Sequence, residues 1–132
     1  MGYRSDVHIA VAFASEADMK EVMAVYALDP RVQKHNLLEQ WDIKDDNILY
    51  YHGDYVKWYD NYEDVQGIER LMEVADDFYS ERGMAVAYRR IRIGEETDDL
   101  EHGFDYNGEG SDTLMELLWD RMNIVRSVEV TL

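Results

Sequence analysis

The chain has no cysteine, one proline and few basic residues, with 13 Lys and Arg against 29 Asp and Glu. Without cysteine there is no disulfide framework, no thiolate nucleophile and no cysteine-ligated zinc. No apolar run approaches the roughly 18 residues that read as a membrane-spanning helix. The opening MGYRSDVHIAVAF lacks the charged start and apolar length of a secretion signal, so a cytoplasmic protein is expected. The shortage of bases leaves a formal net charge of −16. Such a surface repels duplex nucleic acid, whose binding depends on neutralising phosphates with Lys and Arg. Glycine-rich phosphate loops, HExxH spacings and nucleophile elbows are also missing. Neither enzymatic activity nor a cofactor is therefore expected.

What is present is enough for one folded domain over residues 1–132. Hydrophobic residues make up 46% and aromatics 12% of the chain, and a chain of this length buries roughly two thirds of its unfolded surface. DVHIAVAF alternates Val7, Ile9, Val11 and Phe13 with His8, Ala10 and Ala12, the period of a strand, and its small second face suits a central position. Ser15 with Asp18 marks a helix start, giving a helix over Glu16 to Leu28 that restarts after Pro30 through Val32, Leu37 and Leu38. Two β-favouring runs flank Asp45-Asp46-Asn47, with a second break expected at His52-Gly53-Asp54. Val65, Ile68, Leu71, Met72, Ala75 and Phe78 then trace a helical stripe that ends at Arg82 and Gly83. MAVAYRRIRI reads as a strand, TLMELLWDRM as a short helix and IVRSVEVTL as a last strand.

This order predicts an α+β fold: a ferredoxin-like βαββαβ sandwich with a mainly antiparallel sheet and an appended C-terminal helix and strand. Both main helices are expected on one face, over a core that includes Val11, Val22, Ile68, Leu71, Phe78 and Val86.

The functional question centres on RIGEETDDLEHGFDYNGEGSD, eight carboxylates with no Lys or Arg after Arg92. From Ile93 to Asp120 ten carboxylates occur without a single Lys or Arg: Glu95, Glu96, Asp98, Asp99, Glu101, Asp105, Glu109, Asp112, Glu116 and Asp120. The last three repeat every fourth residue and form a negative stripe on one helix face. Such a surface fits a basic partner protein, and the aromatic run YYHGDYVKWYDNY adds Tyr55, Trp58 and Tyr59 as candidate contact residues, with self-association into a homodimer as a further use. Crowded like charges predict raised carboxyl pKa values, and His102 among them is expected to be raised too.

A metal is the competing use. Asp105, Asn107, Glu109, Gly110 and Glu116 fall at EF-hand positions, and Asp98, Asp99, Glu101, His102 and Asp105 could serve a divalent metal-binding module or metal-dependent enzyme. Against calcium, no stripe of an entering helix precedes the run. A solvated loop capped by Ser111 or Asp112 is the simpler expectation.

YRSDV (residues 3 to 7), YVKWYDNYEDV (55 to 65) and RIGEETDDLE (92 to 101) resemble recurring blocks in a group of small acidic bacteriophage proteins of unassigned function. The resemblance implies a viral origin and brings no catalytic residues with it. By analogy with phage proteins of this kind, it implies a partner in the host cell, a nucleic-acid-handling or defence protein whose basic surface is occupied in imitation of DNA.

Overall fold

The structure is a computed structural model that describes residues 2–96, 98–124 and 128–130. Strand β1 (Ser5–Phe13) leads into helices α1 (Glu16–Tyr26) and α2 (Pro30–Lys34) and a 3-10 turn (Leu37–Gln40). Strands β2 (Asp42–Lys44) and β3 (Ile48–Val56) precede the long helix α3 (Glu63–Arg82). Strands β4 (Val86–Gly94) and β5 (Leu100–Asn107), helix α4 (Ser111–Arg121) and the short strands β6 (Met122–Ile124) and β7 (Val128–Val130) complete the described chain.

Five strands form one sheet in the order β2-β3-β1-β4-β5, each neighbouring pair antiparallel. The protein is thus α+β, with a five-stranded antiparallel sheet and four helices among the described residues. It differs from a simple βαββαβ arrangement in two places. Residues expected as an acidic loop form β5 and extend the sheet, and the expected final strand instead pairs as β7 with β6 in a separate ribbon. Residues 125–127 and 131–132 of that expected strand lie outside the described residues.

Each boundary has a local cause. The Ser15 hydroxyl accepts the Asp18 amide and caps α1, while Asp29 caps α2 with Pro30 in its first turn. Helix α1 stops at Tyr26, two residues short of expectation. Asp46 and Asn47 both adopt positive φ in the three-residue turn between Lys44 and Ile48, a conformation that Asp and Asn tolerate better than most residues. Gly53 does not break β3. The irregularity falls just after it, where the β1–β3 register shifts and Tyr55 takes a φ of 54°.

Val7, Ile9, Val11 and Phe13 face one side of the sheet, where Met19, Val22 and Tyr26 of α1 and Ile68, Leu71 and Ala75 of α3 cover them. The two main helices therefore share a face. Of the expected core, Val11, Val22, Ile68, Leu71 and Val86 are buried, and Phe78 packs against the cluster only partly buried. Gly67 allows the close approach beneath α3, since a Cβ there would lie 2.3 Å from a Leu37 methyl. The Tyr26 hydroxyl donates to the Gly67 carbonyl at 2.8 Å and accepts from Trp41 Nε1 at 3.1 Å.

The small second face of β1 has its own cover. Ala10 and Ala12 join Ile48, Ala87 and Ile91 under Met115 and Leu118 of α4 and the following Met122. Among the described residues no helix is long and apolar enough to cross a membrane.

Candidate functional site

Pairing of β5 with β4 sorts the acidic run onto two sides. Glu101 stands opposite Arg92, and Asp105 opposite Tyr88. These odd positions face α3: Glu101 bonds Arg92 at 2.7 Å and lies 3.6 Å from Arg90, while Asp105 adds to the field at Asp76 of α3. The even positions Leu100, His102, Phe104 and Tyr106 face the α4 side.

The expectation of an uncompensated run thus needs correction at its start. Asp99 accepts both Arg92 nitrogens at 2.7 and 3.1 Å and the Tyr3 hydroxyl at 2.6 Å. Glu95 accepts the Arg4 backbone amide at 2.8 Å, and Glu96 and Asp98 are exposed in the β4–β5 turn. Arg92 and Arg90 of the neighbouring strand thus meet Asp99 and Glu101, a pairing that the spacing within the run does not show. Trp58 is corrected as well, because it is buried against Tyr51 in the main core and reaches solvent only where it lines an open cleft. Tyr59 is half-buried, its hydroxyl accepting the Tyr3 amide at 2.7 Å. Tyr55 is exposed under the Arg4 guanidinium.

Tyr3, Tyr59, Glu69, Arg90, Asp99 and Glu101 line an open polar cleft of about 920 Å³. Most of its charges are engaged with one another, Arg90 also lying 3.8 Å from Glu69.

Helix α4 carries the rest of the run. Asp112, Glu116 and Asp120 are all exposed, and among the described residues none takes part in an ion pair. Glu109 is exposed in the turn before them. Capping by Ser111 or Asp112 does not occur. Gly110, at φ 85°, is the N-cap, and Ser111 is buried in the first turn. Beside the stripe, Trp119 meets Phe104 edge-on at 5.7 Å and His102 at 5.2 Å. Phe104 is 50% and Trp119 42% exposed, with Leu100 and Tyr106 similarly open. The result is an apolar strip along β5 bordered by the carboxylate row of α4.

Beneath the strip lies Arg89, 2% exposed and, among the described residues, without a carboxylate partner. Its guanidinium carbon sits 3.8 Å over the Trp119 ring, Nε donates to His102 Nε2 at 2.9 Å, and Nη1 donates to the Met122 carbonyl. The expectation for His102 is reversed. Partial burial and the Arg89 charge hold its pKa below the usual imidazole value, because its ring faces Arg89 and not the carboxylates.

The EF-hand reading also fails on geometry. Asp105 and Asn107 belong to an extended strand, and the Asp105 oxygens accept from Tyr106 N and Asn107 Nδ2. Asp98, Asp99, Glu101, His102 and Asp105 do not gather. Among the described residues the one group of three His, Asp or Glu ligand atoms within 4.8 Å of one another is Asp6, His8 and His52. Sequence reasoning missed it. The available signal was Asp-x-His, which puts both side chains on one strand face; the third member depends on strand register.

Carboxyl pKa values rise elsewhere than expected. Burial raises Glu69 despite Arg90, and burial followed by the Asp105 charge raises Asp76. Asp99, held by Arg92 and Tyr3, moves down instead. A raised folded value means that the stabilisation is fully present below the unfolded value, near 4.5 for Glu69, and is lost as pH rises through the folded value. Glu69→Gln is therefore expected to be more stable than the parent at about pH 8 and to lose that advantage below about pH 5. Thermal melts at fixed ionic strength would read this, and a pH-independent difference would contradict it.

Comparison with protein-family models, with curated proteins and with solved structures yields no match to this chain. The functional reading therefore rests on the surface alone.

Proposed function

We propose that this protein is a non-enzymatic binding module whose β5–α4 face occupies a basic surface on another protein. One observation carries the reading: an exposed aromatic strip, Phe104 and Trp119 at its centre, runs beside the row Asp112, Glu116 and Asp120, which is exposed and, among the described residues, without an ion pair. At a 1.5 Å rise per residue, the row repeats about every 6 Å along α4. Arg and Lys side chains that otherwise hold phosphates can meet such a row, and an exposed indole offers a face to a guanidinium. The partner that fits is a nucleic-acid-handling or defence protein of a bacterial host, met in its cytoplasm, with the chain as a phage-encoded mimic of DNA charge. Self-association is disfavoured by the repulsion between two copies of charge −16. We also read β1-α1-β2-β3-α3-β4 as a ferredoxin-like sandwich extended by β5 and α4. Its support is the β2-β3-β1-β4 order with α1 and α3 on one face.

The test compares two charge-removing triple variants against a partner captured from bacterial lysate at low salt and then purified. Asp112→Asn/Glu116→Gln/Asp120→Asn is expected to weaken binding about tenfold, or 1.4 kcal/mol, and to reduce its salt dependence. Glu73→Gln/Asp77→Asn/Glu81→Gln removes as many charges at the same spacing from the outer face of α3 and should change affinity less than about twofold. Duplex DNA should compete for the partner. Equal losses in both triples would assign binding to bulk charge, and no loss in either would end the charge reading.

A further inference from the structure

We propose that Asp6, His8 and His52 form a binding site for a divalent transition-metal ion of the Zn²⁺ class. The strand pairing builds it. His8 and His52 are direct partners in the β1–β3 register, and their rings stack with centroids 4.2 Å apart and planes 14° apart. Asp6, two residues before His8, lies on the same face of β1. Its carboxylate spans the two rings, with Oδ1 2.7 Å from His52 Nε2 and Oδ2 3.1 Å from His8 Nε2. Two imidazole nitrogens and a carboxylate oxygen thus converge from three side chains fixed by one sheet.

The surroundings suit a metal. His8 Nδ1 lies 2.5 Å from the Tyr50 hydroxyl. When Nδ1–H donates to that oxygen, the Nε2 lone pair points at the carboxylate, the arrangement in which an outer partner fixes the tautomer of a ligating histidine. His8 is buried, whereas the side chains of Asp6 and His52 are 32% and 40% exposed. The group is closed behind and open in front, which leaves a coordination position for water or a further ligand. Asp54 adds its charge at His8, and the net negative field raises the local cation concentration.

The donor set selects the ion. Imidazole nitrogen suits Zn²⁺, Co²⁺, Ni²⁺ and Cu²⁺, whereas Ca²⁺ and Mg²⁺ prefer all-oxygen shells. This site is separate from the acidic run, which offers carboxylates that do not converge.

The experiment titrates chelator-treated protein with Zn²⁺ by calorimetry and with Co²⁺ by visible absorption. One ion per chain is expected, with cobalt bands that Zn²⁺ abolishes and a melting temperature that rises with Zn²⁺ concentration. His52→Ala and Asp6→Asn should each weaken binding at least tenfold. His52 is exposed, and a metal-free melt of its variant close to that of the parent shows that the fold is kept. Tyr50→Phe should weaken binding by roughly tenfold through the tautomer. Glu101→Gln/Asp105→Asn should bind as the parent does. Absence of a one-to-one Zn²⁺ complex, binding that survives His52→Ala, or loss in the Glu101/Asp105 variant instead would each overturn the assignment. In the first case the three side chains are a hydrogen-bonded strand pair and nothing more.

Discussion

Arg89→Ala is expected to destabilise the protein by about 3 kcal/mol, the cost of truncating a large buried side chain, and to lower its melting temperature by roughly 10 °C. The guanidinium is enclosed by the Trp119 ring, His102 Nε2 and the Met122 carbonyl. Truncation opens a cavity under the indole and leaves a buried carbonyl without its donor, so transfer, cavity and hydrogen-bond losses all act in one direction. Arg89→Lys separates charge from shape. An ammonium carries the same charge but cannot lie flat on an indole while donating along two directions. It should recover less than half of the loss. A lysine variant as stable as the parent would show that charge alone matters at this position, contrary to the stacked geometry.

A second large effect is expected on the opposite face of the sheet. Tyr26→Ala should cost about 4 kcal/mol, in the range for removing a buried aromatic ring. Tyr26→Phe should cost about 1–2 kcal/mol, because the ring stays while Trp41 Nε1 and the Gly67 carbonyl each lose a partner. Tyr26 joins three segments: α1, which carries it, α3 through Gly67, and the Trp41 indole that meets it edge-on. Denaturant melts of the two variants would therefore divide packing from hydrogen bonding in this corner. If Tyr26→Phe cost as much as Tyr26→Ala, the hydroxyl would be the dominant link and the packing account would be wrong.

Much of the fold was legible because the periodicity is strong where burial is deep. Val7, Ile9, Val11 and Phe13 alternate because one face of β1 packs under α1 and α3, and Ala10 and Ala12 are small because α4 packs over the other face. Helix α3 announced itself through its stripe and its left-handed Gly83 cap. β5 was missed although LEHGFDYN does alternate, with Leu100, Phe104 and Tyr106 against Glu101 and Asp105. Its apolar residues are half-exposed, so the pattern is shallow and the acids dominate the reading.

The candidate site was legible only in part for a related reason. The α4 stripe follows from helical spacing alone, and all three of its carboxylates are exposed. Which acids are free depends on partners brought from elsewhere in the chain. Arg92 reaches Asp99 and Glu101 through the β4–β5 ladder, and His52 reaches Asp6 through the register of β3 on β1. Spacing within one element is written in the sequence, whereas pairing between elements is settled by the fold.

Among the described residues β5 ends the sheet, so one side of its backbone offers N–H and C=O groups to any passing strand. It has neither proline nor lysine to discourage such pairing, and Leu100, Phe104 and Tyr106 give a newcomer something apolar to settle on. What keeps separate molecules apart is mutual repulsion, which lasts only while the carboxylates are ionised. Near pH 4, where ordinary Asp and Glu side chains take up protons, the barrier fades while the templating edge remains. Colloidal stability thus draws on the same carboxylates as the proposed contact surface. A variant with those groups neutralised would move closer to fibril formation, and one selected for a long shelf life in solution would have to keep its charge.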